Sequence, residues 1–113
     1  MTTLSTHVLD TTRGVPAWGV PVRVEARIAD GTYRLVGSAT TDKDGRVKSL
    51  LYPAERLEPG EYRLTFDTDT YFGTQGDVGF YPRVTIHFVV RAATHHHVPL
   101  LLSPYGFSTY RGT

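Results

Sequence analysis

The fold class that this sequence predicts is all-β, and three observations carry the prediction. Apolar residues recur at every second position, turn-forming pairs punctuate the alternating segments, and the chain has the length of one core. With 113 residues, 40% of them hydrophobic and 20% charged, a single domain over residues 1–113 is expected. Such a chain buries roughly two-thirds of its unfolded surface, which offsets chain entropy without covalent staples.

Each element follows from local pattern. Residues 4–10 form the first strand, with Leu4, Thr6 and Val8 on one face and Ser5, His7 and Leu9 on the other. In the next strand Val20, Val22, Val24, Ala26 and Ile28 alternate with Arg23, Glu25 and Arg27. Tyr33, Leu35 and Ala39 then alternate with Arg34 and Ser38, and residues 46–51 supply a further strand. Tyr62, Leu64 and Phe66 alternate with Arg63, Thr65 and Asp67; Val84, Ile86, Phe88 and Val90 alternate with Thr85, His87 and Arg91. Residues 95–103 and 107–111 complete about eight strands, the count of a β-sandwich. Asp30-Gly31, Asp44-Gly45, Pro59-Gly60 and Pro104-Tyr105-Gly106 provide the turns between them. One helix is expected where Thr68-Asp69-Thr70 offers N-cap side chains ahead of Tyr71 to Gln75, with Gly76 as its stop.

Composition removes several function classes. The chain has no cysteine, which excludes thiol catalysis, Cys-ligated zinc and a disulfide scaffold. Twelve basic residues against eleven acidic ones, without a basic run, do not make a nucleic-acid footprint. The N-terminal segment lacks the pattern of a signal peptide, and no apolar run reaches membrane-spanning length, so no membrane partner and a cytoplasmic location are expected.

Strand alternation sorts the histidines. Val98, Leu100 and Leu102 form the core face of their strand, so His97, Pro99, Leu101 and Ser103 point the other way, and His96 points away from His95 and His97. Leu101 lies in a run that is apolar on both faces, so a second surface, such as another subunit, is expected to cover the outward side. His7 is an outward residue of the first strand. His87 faces solvent and has no assigned role. His95 and His97 suit zinc only if His7 joins them as a third imidazole; otherwise they begin a polar strand. Arg46 follows the turn Asp42-Lys43-Asp44-Gly45, which lacks the distal glutamate and the glycine spacing of a calcium loop.

The order of motifs resembles the signatures of the 5-hydroxyisourate hydrolases of the transthyretin-related family. The segments are His7-Val8-Leu9-Asp10 followed by Gly14-Val15-Pro16-Ala17; Thr41-Asp42-Lys43-Asp44-Gly45-Arg46; and His97 through Gly106 running into Ser108-Thr109-Tyr110-Arg111-Gly112-Thr113. This resemblance implies a transthyretin-like β-sandwich of two four-stranded sheets with one short helix. It also implies a homotetramer, a dimer of dimers, with active sites where dimers meet. The implied reaction is hydrolytic opening of 5-hydroxyisourate in urate degradation, with no metal or organic cofactor.

Carried over by position, His7, Arg46 and His97 are the expected catalytic residues, and Tyr110, Arg111, Gly112 and Thr113 join His7 and Arg46 in holding substrate. His7 paired with His97 would remove a proton from water, either ring being the base; Arg46 would hold the developing oxyanion, and Tyr110 would position substrate. Thr113 stands where the family usually has serine, and His96 where it often has tyrosine. The alternatives are a hormone carrier of the transthyretin type, which lacks the active-site histidines and this ending, and an accessory β-sandwich module.

Overall fold

The computed structural model describes residues 3–113. In chain order these form β1 (Leu4–Asp10), β2 (Val15–Pro16), β3 (Pro21–Arg27), β4 (Tyr33–Thr40), β5 (Arg46–Val47), β6 (Gly60–Phe66), α1 (Thr68–Thr74), β7 (Val84–Val90), β8 (His96–Ser103) and β9 (Gly106–Thr109). One sheet has the order β4-β3-β6-β7, antiparallel throughout. The other runs β2-β1-β8-β9, with β5 added to β1 as its fifth strand. The first sheet has the four strands expected; the second has five rather than four, because the two-residue β2, which the alternation did not predict, pairs with β1. Within the second sheet β1 and β8 are parallel, which joins the beginning of the chain to its end.

The alternation on β1 and β8 is the expected one. Leu4, Val8, Leu100 and Leu102 are essentially inaccessible and face Val22, Val24, Leu64 and Phe66 in one hydrophobic cluster. Each such side chain contributes about 1.5–3 kcal/mol on burial. His96 lies on the inward face, buried, its Nδ1 donating to the Thr94 carbonyl at 2.8 Å.

Two strands depart from simple alternation. On β4 the pairing shifts between Val24↔Gly37 and Glu25↔Leu35, so Val36 is the extra residue of a bulge. The bulge turns Val36 inward and leaves Leu35 46% exposed, reversing the face expected for Leu35. The segment expected as one strand over residues 46–51 pairs with β1 only at Arg46 and Val47. Beyond Val47 it crosses the edge of the sandwich: the Leu50 amide donates to the Leu4 carbonyl, and Leu51 bridges Gly37 of the opposite sheet.

The helix cap lies one residue before the expected Thr68-Asp69-Thr70. Asp67 is the N-cap, accepting from the Thr70 amide at 3.2 Å, because Thr68 is turned inward to donate to the Tyr81 carbonyl. Tyr71 anchors α1 to the end of β1 by donating its hydroxyl to buried Asp10 at 2.7 Å. Among the described residues no helix is long and apolar enough to cross a membrane.

Candidate functional site

The site is assembled on the outward face of the β1-β8 sheet by register. On β1, Ser5 and His7 point outward because Leu4, Thr6 and Val8 are drawn into the core. Antiparallel pairing with β5 sets His7 directly opposite Arg46, and parallel pairing with β8 sets Ser5 opposite His97. Side chains so paired begin about 4.5–5.5 Å apart. The turn before Arg46 is held by Asp42, whose Oδ1 accepts from the amides of Asp44 and Arg46 at 2.8 and 3.0 Å. Gly45 takes φ +73° there, and a β-carbon on it would stand 2.5 Å from the Val8 carbonyl oxygen. Arg46 therefore enters the sheet at a fixed height.

Arg46, Lys48, His95, His97 and Thr113 line a pocket of about 320 Å³, with Ser5 among its walls. His97 is half-buried, and its Nδ1 lies 2.7 Å from Ser5 Oγ. Burial holds its pKa below the ordinary imidazole value, and the charges of Arg46, His95 and His7 act in the same direction. His7 is also lowered, first by burial and then by Arg46, against the opposing influence of Asp44 and Asp42. Its Nε2 lies 3.0 Å from the Asp44 carbonyl, an acceptor only, so Nε2 carries the proton and Nδ1 holds the free lone pair. His7 does not line the Arg46 pocket. The arrangement thus offers a neutral imidazole beside a guanidinium, the pairing that hydrolysis of an acyl group requires.

The residues after β9 fold back over His97. The Gly112 amide donates to the His97 carbonyl at 2.8 Å, and Thr113 reaches the Arg46 pocket. Tyr110 and Arg111 do not. They line a second pocket, of about 270 Å³, with Ile86, Phe88 and Val98, and His97 borders both. The expectation that Tyr110 converges with Arg46 is therefore not met within one chain; β9 ends at Thr109, and the tyrosine beyond it lines the second pocket.

Ser5 and Asp44 were not among the expected site residues. The available signal for Ser5 was its place two residues before His7 on the same strand face. For Asp44 the contact is through its carbonyl, which no side-chain pattern reports. Among the described residues no three His, Asp or Glu side chains are grouped to hold a metal ion, so the zinc arrangement of His7, His95 and His97 is not assembled.

A family model described as the HIUase/Transthyretin family matches residues 4–112. The chain belongs to that family. Its relatives include the 5-hydroxyisourate hydrolase of Salmonella typhimurium, 43% identical over 111 residues that cover 97% of this chain and 80% of the relative. Among solved structures, the 5-hydroxyisourate hydrolase of Klebsiella pneumoniae superposes with a TM-score of 0.85 at 36% identity, covering 99% of this chain and 100% of that one. Sea bream transthyretin in complex with thyroxine superposes with a TM-score of 0.90 at 29% identity, over 98% of this chain and 95% of that one. The family scaffold is thus common to hydrolases and a hormone-binding protein, and the side chains on the outward sheet face must decide between them.

Proposed function

We infer that this chain is a 5-hydroxyisourate hydrolase, opening the substrate ring to 2-oxo-4-hydroxy-4-carboxy-5-ureidoimidazoline in urate degradation. The observation that carries the reading is that His97 and Arg46 line one pocket, in a chain matched over 97% of its length by a hydrolase relative. In the proposed mechanism neutral His97 takes a proton from water through Nε2, and the hydroxide attacks a ring carbonyl. Arg46 stabilises the oxyanion; the ring C–N bond then breaks and the leaving nitrogen takes the proton held on His97 Nε2. His97 is preferred as the base because it lines the pocket, whereas His7 commits Nε2 to Asp44. His7 helps keep the His97 ring uncharged, and Thr113 offers a hydroxyl to the substrate.

Tyr110 and Arg111 enter this proposal through assembly as a homotetramer, a dimer of dimers, because within one chain they face a separate pocket. Two features support assembly. β7 and β9 stand at sheet edges, and the apolar side chains Val89 and Phe107 on them are 47% and 43% exposed. Activity per chain is expected to fall on dilution to monomers; undiminished activity of monomers contradicts a shared site.

One observation favours ligand carriage instead, the likeness to thyroxine-bound transthyretin. The polar lining of Arg46, Lys48 and the two histidines favours the hydrolase. Ultraviolet absorbance of freshly generated 5-hydroxyisourate separates the two: the hydrolase accelerates its disappearance, with chelator present or absent, and a carrier leaves the spontaneous rate unchanged.

A further inference from the structure

Beside His97, along the same pocket wall, lies a hydrogen-bonded chain that the mechanism above does not use. Ser5, only 8% exposed, places Oγ 2.7 Å from His97 Nδ1 and 3.2 Å from His95 Nε2. The two imidazoles are nearly parallel, with centroids 6.4 Å apart and planes inclined by 17°. His95 is exposed, and its other nitrogen, Nδ1, meets the Thr3 hydroxyl. The order Thr3, His95, Ser5, His97 therefore forms one unbroken chain along the pocket wall, open to solvent at His95.

We propose that Ser5 and His95 form a proton relay that fixes His97 in the Nδ1-protonated tautomer and receives the proton His97 takes from water. The proposal rests on the assignment of His97 as the base. A serine hydroxyl has one proton and two lone pairs, so it cannot donate to both rings. Donation to His95 Nε2 and acceptance from His97 Nδ1–H is the arrangement that leaves the His97 Nε2 lone pair free toward substrate. His95 then carries its own proton on Nδ1, directed at Thr3. When water gives a proton to His97 Nε2, the Nδ1 proton passes to Ser5 Oγ, and the hydroxyl proton passes to His95 Nε2. His97 ends neutral and the single positive charge appears on His95; when the leaving nitrogen takes the His97 Nε2 proton, the same transfers run in reverse and restore the starting tautomers. The benefit is electrostatic: a charge left on His97 would stand near Arg46, whereas His95 is solvated. Ser5 is accordingly a positioning residue for His97.

The test uses the full chain and two readouts. Ring-nitrogen NMR without substrate is expected to show the His97 proton on Nδ1 in the wild type and in Ser5→Thr, and a shift toward Nε2 in Ser5→Ala. In steady-state assays Ser5→Ala is expected to lower kcat by about tenfold with KM nearly unchanged, and Ser5→Thr to restore it. His95→Gln keeps a hydrogen-bonding side chain that cannot accept the proton, so it should preserve the His97 tautomer and still lower kcat. A wild-type His97 protonated on Nε2 overturns the relay, as does a kcat for His95→Gln or folded Ser5→Ala within about twofold of wild type. If Ser5→Ala does not fold, the exposed His95 variant decides. Absence of hydrolysis by the wild type would refute the proposed function, and the ring-nitrogen spectra would still judge the tautomer.

Discussion

Gly112 lies flat against the His97 ring: a β-carbon added to it would stand 2.4 Å from His97 Cδ2 and 3.2 Å from Pro99 Cγ. The amide of the same residue is tied to the His97 carbonyl, so the backbone has no room to retreat without losing that bond. Glycine in the terminal motif is thus a packing requirement of the imidazole. Gly112→Ala is expected to displace the ring and lower kcat by at least about tenfold, while changing unfolding free energy by under about 1 kcal/mol, since the segment lies on the surface. Activity within twofold of wild type would show that the ring does not depend on this contact.

Arg46 carries a second prediction. Its fork of donors suits a planar, oxygen-rich substrate in a way that an ammonium does not, so Arg46→Lys should lose roughly 100-fold in kcat/KM. Full activity of the lysine variant in steady-state assays would reduce the role of Arg46 to simple charge attraction.

The histidines predict a pH dependence. His7 and His97 both have folded-state pKa values below the ordinary imidazole value, by burial and by Arg46. The unfolded chain therefore binds more protons between the folded and unfolded pKa values, and stability rises with pH there. Their stabilising contribution is full above the unfolded pKa and is lost as pH falls through the folded one. Activity should decline over the same acid limb, with the pair titrating as a unit. In Arg46→Ala the NMR titration midpoints of both rings should move up, and unmoved midpoints would contradict the electrostatic coupling.

Much of this fold was legible in alternation alone, because strands buried on one face must repeat every second residue. Leu4 to Asp10 and Val84 to Val90 show that pattern, and the structure keeps it. Tyr33 to Thr40 misled because a bulge inserts Val36, and bulge position depends on the partner strand rather than on local sequence. Residues 46–51 were apolar enough for a strand, but Leu50 serves the core between the sheets instead. Motif order pointed to Arg46 and His97, and the two line one pocket. Ser5 shared the outward face with His7, but nothing marked it for the site until its parallel neighbour His97 was known. Tyr110 belonged to the right motif and still faces another pocket, because its surroundings depend on where β9 ends.

Stability has its own test at the Tyr71–Asp10 hydrogen bond. Asp10 is 2% exposed and also accepts from the Arg13 amide at 3.0 Å. Tyr71→Phe leaves Asp10 Oδ2 with only the longer ion pair to Arg13 Nε at 3.4 Å and is expected to cost about 1–3 kcal/mol in denaturant unfolding. A loss under about 0.3 kcal/mol would show that Arg13 alone satisfies Asp10.

The most direct test is the turnover of 5-hydroxyisourate by His97→Ala, measured beside wild type on freshly generated substrate. If His97 is the base in the Arg46 pocket, turnover falls by at least roughly 100-fold with the fold intact. A folded variant within about fivefold of wild type would place the chemistry elsewhere.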